Sequence, residues 1–195
     1  MFNIDRFTAA IDAHDGILKT NKYSVRFMPP VGLMNRAPIG RDLEFLCDQV
    51  SMPGTSLALH DVRRYGYGPV EKRPYNNNFT ELHAQFLMTG DGNVNRLMHD
   101  WISLAIPFDM RNGINTNNPY LVNYKQNYIT DIRIKIFTEL DQGNDTDYEA
   151  PIEMVIREAF PVAMNEITLG WGHFNEVARL GVVFSFVDWH LENNR

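Results

Sequence analysis

The side chains best suited to metal or acid–base chemistry are the histidines, and their spacing predicts neither kind of site. The six are His14, His60, His83, His99, His173 and His190. No two of them form an H-x-x-x-H or H-E-x-x-H pattern, and no Cys/His spacing typical of zinc is present. The sequence therefore predicts no metal ligands.

Two glycine-containing turns also lack the chemistry of a binding loop. Gly66-Tyr-Gly-Pro and Gly90-Asp-Gly-Asn have neither the spacing nor the Lys of a phosphate loop or a dinucleotide fingerprint. Asp91-Gly-Asn lacks the ligand series and the closing Glu of a calcium loop. No Ser stands out as a nucleophile with a nearby base. We therefore expect no catalytic residue, no cofactor and no enzymatic activity.

A basic and aromatic cluster is the most distinctive set of functional side chains. Its members are Arg63, Arg64, Tyr65, Tyr67, Lys72, Arg73 and Tyr75. Such residues can stack nucleic-acid bases, or they can simply lie on a solvated loop. Because Tyr and Arg are enriched at the energetic centres of protein interfaces, and because the loop is long, we favour a protein contact.

Composition narrows the functional classes further. The net charge is -6, from 18 basic and 24 acidic residues, which argues against a protein that grips nucleic acid by neutralising phosphates. The single Cys47 excludes an intramolecular disulfide. No apolar run approaches the roughly 20 residues that span a bilayer, and the N-terminus does not resemble a signal peptide. We expect one domain, residues 1–195, that folds in a reducing cytosol without a membrane partner.

The elements that position these side chains are mostly strands. The stretch from Ala159 to Trp189 predicts a hairpin, with a short strand at Glu166–Trp171 and a long one at Glu176–Asp188. The even residues of the long strand share one apolar face, as expected from the period of two. These residues are Ala178, Leu180, Val182, Phe184 and Phe186.

Alternating apolar residues predict five more strands, separated by loops rich in Gly, Pro and Asn. The strands are expected at Tyr23–Phe27, Leu43–Asp48 with Leu43, Phe45 and Cys47 inward, Leu57–Tyr65, Phe79–Thr89 and Tyr128–Phe137. The loops are expected at Gly32–Arg41, Ile106–Lys125 and Leu140–Ala150. A long extended hairpin tip is predicted at Arg63–Asn78.

Two of these strands have a polar face. Phe79–Thr89 directs Glu81, His83 and Gln85 away from its apolar side, and Tyr128–Phe137 does the same with Asp131, Arg133 and Lys135. If the two strands are neighbours, these six side chains form one continuous hydrated surface of mixed sign.

Two helices complete the prediction. Apolar residues at helical spacing from Asn93 to Leu104 give one buried stripe that includes Trp101, and Asn3–His14 predicts a short N-terminal helix. The fold class is therefore mainly β: an antiparallel β-sandwich or barrel with one packed α-helix, a long extended β-hairpin and a short N-terminal helix.

The order of several motifs resembles the tail tube proteins of contractile-tail bacteriophages, a superfamily that includes the tubes of type VI secretion. The resemblance covers about Lys22 to His190. Its motifs are, in order, Cys47, Ser51-Met-Pro-Gly54, the basic hairpin from Val62 to Tyr75, the strand Phe79–Thr89, Asp91, Asp100-Trp101, Tyr124 to Tyr128, the charged strand to Phe137, Phe160-Pro161, Trp171 and Asp188-Trp189.

The resemblance implies a structural protein whose six copies form a ring, with rings stacked into the inner tail tube that conducts double-stranded DNA during ejection. It implies location in the virion tail after assembly in the host bacterial cytoplasm, and sheath, tape-measure and baseplate proteins as partners. The hairpin cluster would contact the next ring, and the six polar side chains would face the lumen. Two alternatives stay open: a baseplate tube-initiator of the same fold, and an all-β hydrolase or metal enzyme.

Overall fold

The structure is a computed structural model that describes residues 3–13, 17–63, 66–108, 121–137, 152–172, 174 and 176–192, with only the backbone of 35–41. Strands dominate these residues. They are β1 (Tyr23–Phe27), β2 (Cys47–Ser51), β3 (Thr55–Val62), β4 (Glu71–Phe79), β5 (Leu82–Leu87), β6 (Thr130–Ile136), β7 (Ile152–Met164), β8 (Arg179–Ser185) and β9 (Asp188–Glu192). The helices are α1 (Ile4–Asp12), a 3-10 helix (Val31–Arg36), α2 (Ala37–Leu46), α3 (Asn93–Ala105) and α4 (Lys125–Tyr128).

Seven strands form one antiparallel sheet in the order β1-β6-β7-β8-β5-β2, with β9 added beside β7. The remaining two strands, β3 and β4, pair only with each other and form a separate hairpin. The antiparallel, mainly β class predicted from alternation is therefore confirmed, as are the packed helix, the long hairpin and the short N-terminal helix.

The longest strand, β7, belongs to both halves of the sheet. Its first half pairs with β6 on one edge and with β9 on the other, and its second half pairs with β8. Pro161, which has no N–H to donate, lies in the second half opposite Phe184, next to an irregularity of the β7–β8 ladder between Pro161 and Ala163, a kind of position where proline is tolerated. Arg157 and Asp188 join β7 to β9 through two hydrogen bonds of 2.6 and 2.5 Å. The bond from Arg157 lowers the pKa of the Asp188 carboxyl.

A β-bulge bends β7 between its two halves. At this point one residue of β6, Asp131, faces two residues of β7, Arg157 and Glu158. Glu158 has a positive φ of 54°, which is uncommon for a residue other than glycine. Its backbone N–H donates to Asp131 Oδ1 at 3.1 Å, and its carboxylate pairs with Lys125. These side-chain contacts hold a backbone conformation that the sequence of β7 does not itself favour.

The sheet curves until its two outer strands approach each other. The Tyr23 hydroxyl on β1 lies 3.1 and 2.7 Å from the carbonyl oxygens of Cys47 and Asp48 on β2, and it can donate to either. Inside, Phe27 of β1 contacts Phe86 of β5, with ring centroids 5.2 Å apart. Strands at opposite ends of the pairing order thus share one core, as in a barrel.

Helix α3 closes this core with a single apolar stripe. Its buried apolar residues are Val94, Leu97, Met98, Trp101 and Leu104. The Trp101 indole N–H donates to the Tyr128 carbonyl oxygen at 2.6 Å, and its ring meets Phe184 of β8 edge-on at 5.9 Å. The predicted stripe of Val94, Leu97, Met98, Trp101 and Ile102 is confirmed except at its last residue. Ile102 is only partly buried, and Leu104 is buried in its place.

The predicted loop at Gly32–Arg41 and the strand at Leu43–Asp48 are wrong. The 3-10 helix and α2 occupy this stretch, and β2 starts only at Cys47. Leu43 is buried but Phe45, predicted inward, is 81% exposed. The apolar positions Leu43, Leu46 and Cys47 follow the three- and four-residue spacing of a helix. Because Leu43 and Cys47 also alternate with Phe45, the same residues suggested a strand.

The first strand of the predicted hairpin, Glu166–Trp171, was placed about six residues too late. Residues 165–170 form no strand, and β7 itself, over Phe160–Met164, pairs with β8. Leu180, Val182 and Phe184 point to the core as predicted, whereas Ala178 is exposed and Phe186 half-buried. Much of the predicted loops Ile106–Lys125 and Leu140–Ala150 lies outside the described residues.

The first prediction concerns Trp101, which is 1% exposed. Trp101→Ala removes a large side chain from the core and leaves the Tyr128 carbonyl without its donor, so we expect a loss of about 3 to 5 kcal/mol in the free energy of unfolding. Urea denaturation followed by circular dichroism measures it. The fully exposed Trp171 supplies the control, because Trp171→Ala should change stability by less than about 0.5 kcal/mol. Equal effects of the two changes would contradict the placement of α3.

The second prediction concerns the bulge. Asp131→Ala removes the acceptor of the Glu158 N–H and should cost about 1 kcal/mol of unfolding free energy. Asp131→Asn keeps an oxygen at that place and should cost clearly less. Comparison of the two variants by urea denaturation checks this, and equal losses would show that the hydrogen bond does not stabilise the bend.

Candidate assembly surfaces

The hairpin of β3 and β4 projects from the barrel without a core of its own. The two strands pair from Thr55–Phe79 at the base to Val62–Glu71 near the tip. Every described side chain in it is exposed or half-buried, and Leu57, Leu59 and Tyr75 are large apolar groups in contact with solvent. Two strands without a covered face are only marginally stable in water, and exposed apolar groups of this kind are typical of contact surfaces.

The base of the hairpin is fixed to the barrel. The Gly54 N–H donates to Thr80 Oγ1 at 2.7 Å, and the Thr80 N–H donates to the Gly54 carbonyl oxygen at 3.1 Å. The Phe79 ring packs near Phe186 and Trp189, with centroids 6.0 and 6.4 Å away. The arm therefore leaves the barrel in a defined direction.

The residues predicted for a protein contact lie toward the outer half of this arm. Arg63, Tyr67, Lys72, Arg73 and Tyr75 are exposed, while Arg64 and Tyr65 lie outside the described residues. Arg73 pairs with Glu71 at 3.1 Å within the same strand. The structure thus gathers the described members of the cluster on one solvent-exposed element, as the sequence predicted.

The six polar side chains predicted to share one surface are divided between two separate strands. Glu81 precedes β5, which carries His83 and Gln85, and β6 carries Asp131, Arg133 and Lys135. The condition for one continuous surface, that β5 and β6 are neighbours, is not met, because β7 and β8 lie between them. Each strand does turn its apolar residues to the core and these residues outward, so the predicted faces are correct. Pairing order depends on long-range contacts that alternation does not encode.

On β6 the polar residues are already engaged within the chain. Arg133 Nη1 lies 3.4 Å from Glu153 and 3.3 Å from Glu192, and Lys135 Nζ lies 3.3 Å from Glu153. Glu153 is only 3% exposed although it points away from the apolar core. Glu153 could not be identified from the sequence as the partner of these cations, because its position opposite Lys135 follows only from the register of β6 and β7. The two cations on this face are thus partly neutralised.

The β5 residues border a polar cavity of about 190 Å³ on the outer side of β2, β5 and β8. Its lining includes Ser51, His83, Gln85 and Asn165. Gly181 makes room for Asn165, since a Cβ there would lie 2.6 Å from the Asn165 amide nitrogen. Ser51 and His83 face each other across β2 and β5, but no carboxylate is among the lining residues to orient the imidazole.

Within the described part of the chain, no group of three or more His, Cys, Asp or Glu could hold a metal ion. The one cysteine is not suited to act as a nucleophile. Burial raises the pKa of the Cys47 thiol to about 12, so that it stays protonated at neutral pH.

No helix in the described residues is both long and apolar enough to cross a bilayer.

Solved structures with a similar fold come from contractile injection systems. A chain of the sheath–tube complex of an extracellular contractile injection system, PVC, in the extended state matches with a TM-score of 0.58 and 16% identity, covering 98% of this chain and 99% of that one. A chain of the anti-feeding prophage tube-terminating cap matches with 0.59 and 16%, covering 90% and 91%. A chain of the anti-feeding prophage baseplate matches with 0.60 and 9%, covering 90% and 95%.

A search of curated protein sequences finds no match. The sequence profile of the phage tail tube protein family, in contrast, matches residues 18–192, which include every strand described above and the helices from the 3-10 helix onward. The projecting hairpin, helix α3 and the bent strand β7 all lie within that match. The chain belongs to the phage tail tube protein family.

Proposed function

We propose that this protein is the repeating subunit of an inner tail tube, in which rings of six copies stack into a conduit for double-stranded DNA. The observation that carries the proposal is the β3–β4 hairpin, an arm with exposed Leu and Tyr side chains that no other element among the described residues covers. A contact between this arm and a different surface of another copy is head-to-tail, and head-to-tail contacts generate rings or filaments. A structural role in a tail follows from the family.

Sheath, tape-measure and baseplate proteins are the proposed partners, with assembly in the host cytoplasm and a final place in the virion tail. The similar chains in a sheath–tube complex, a tube cap and a baseplate support this group of partners. Their fold alone does not separate a repeating subunit from a tube-initiator, which is the second candidate function.

We assign the hairpin cluster to contacts between rings. Tyr67 and Tyr75 provide rigid apolar area, and Arg63 and Lys72 provide donors at a solvent-exposed place. The glycines of the tip, Gly66 and Gly68, have positive φ values of 74° and 90° and open space around them, so the tip is shaped by its own turns and not by the barrel.

The outward residues of β5 and β6, together with Glu81 just before β5, are proposed to line the lumen. These are Glu81, His83, Gln85, Asp131, Arg133 and Lys135. DNA slides freely only where unopposed cations are few, because each phosphate contact adds a salt-dependent attraction. The ion pairs of Arg133 and Lys135 with Glu153 meet that requirement on β6.

Electron microscopy of the purified protein tests the central proposal. A repeating subunit is expected to form long tubes of stacked six-fold rings without other proteins, whereas a tube-initiator is expected to stop at single rings or short stacks. Particles without rings at any protein concentration would contradict both.

Deletion of Gly66–Lys72 tests in the same microscopy assay whether the hairpin tip is needed for stacking. The deletion removes only exposed residues, so the protein should fold with an unfolding free energy within about 0.5 kcal/mol of the parent. It should no longer form tubes. Long tubes from a folded deletion variant would show that the tip takes no part in stacking.

The lumen assignment has its own test. A reconstruction of the tubes at side-chain resolution is expected to show the β5 and β6 outer faces toward the tube axis. If either face lies against a neighbouring copy, its three residues do not face the lumen. That result would leave the proposal of a tube subunit unchanged.

A further inference from the structure

A second exposed apolar element lies between β7 and β8, in residues 165–178, here called the β7–β8 connection. Its large side chains face solvent: Leu169 and Phe174 are each 85% exposed, Trp171 is fully exposed, and Val177 is more than half exposed. An isolated exposed apolar residue is ordinary, but four within nine residues form an apolar surface typical of a contact site.

This connection and the hairpin leave the barrel at opposite ends of the same strands. At one end, Leu82 pairs with Phe184 and Ser51 pairs with His83, and there β2 and β5 run into the hairpin. At the other end, Leu87 pairs with Arg179 and Met164 pairs with Val182, and there β7 and β8 run into the connection. The two exposed elements are thus separated by the length of these strands.

The two elements also have complementary charge. The connection contains Glu166 and Glu176 and no Lys or Arg, which gives a net charge of -2. The hairpin, residues 55–79, contains four basic and two acidic residues, which gives a net charge of +2. Opposite charge at opposite ends favours a repeating head-to-tail contact between identical copies.

We propose that the β7–β8 connection of one copy binds the β3–β4 hairpin of a copy in the next ring. This inference rests on the proposed tube function and goes beyond it by naming the surface that receives the hairpin. Trp171 and Leu169 pack against the apolar and tyrosine side chains of the arm, while Glu166 lies close to its basic residues. The exposed apolar groups of both elements are covered by the same contact.

Cross-linking between two different variants tests the contact. Chains with Asn77→Cys and chains with Thr168→Cys are mixed, assembled into tubes and treated with a short bis-maleimide. Both positions are exposed and polar and lie beside the packing residues, so the changes leave the apolar contact intact. The native Cys47 is buried with its thiol protonated and does not interfere. We expect a covalent dimer on a denaturing gel. The control pair is Asn77→Cys with Tyr124→Cys, because Tyr124 is 83% exposed but belongs to neither element, and it should give no dimer.

Charge exchange provides the second measurement. Glu166→Lys alone and Lys72→Glu alone should each raise the protein concentration needed for tubes several-fold, and the two changes in one chain should restore it. Tubes that give no dimer, or as much dimer with the control pair, overturn the inference. Glu166→Lys tubes at the wild-type concentration also overturn it. If the unmodified protein forms no tubes, the proposed function itself fails and this inference fails with it.

Discussion

The bend of β7 at Glu158 is the constraint on which the rest of the barrel depends. The strand pairs with β6 and β9 before the bend and with β8 after it, so the direction change there determines how the two halves of the sheet enclose one core. A single extra residue produces the bend, and Asp131 and Lys125 hold it from outside. The apolar residues of both halves then meet α3, whose Trp101 reaches Phe184 of β8 and the Tyr128 carbonyl just before β6.

The same architecture leaves apolar groups exposed at both ends of the strands. The hairpin takes β3 and β4 entirely out of the barrel, and the β7–β8 connection places Trp171 in solvent. Covering these groups within the chain would need further elements, which the described residues do not provide. In the proposed tube, copies of the same chain in neighbouring rings cover these groups.

Much of the fold could be predicted from the sequence because most strands have one wet face. Alternation placed β1, β5 and β6 correctly, and helical spacing placed α3. It failed at Leu43–Cys47, where Leu43 and Cys47 fit both a strand and a helix and only the exposed Phe45 suggested alternation, and at β7, where residues from Glu153 to Ile156 are buried on both sides and show no alternation. The exposed cluster of the hairpin was predictable because Gly, Pro and Asn exclude it from a core. The separation of β5 from β6, and Glu153 beneath Arg133, depend on pairing across distant parts of the chain, which local pattern does not contain.

In the proposed tube the hairpin depends for its stability on a second copy, and amide hydrogen exchange measures this most directly. Exchange of the Thr55–Val62 and Glu71–Phe79 amides is compared between dilute protomer and assembled tubes, with the β6 and β7 amides of the barrel as internal reference. We expect fast exchange of the hairpin amides in the protomer and strong protection in the tube, while the barrel amides are slow in both. Equal protection of the hairpin in the two states would contradict it.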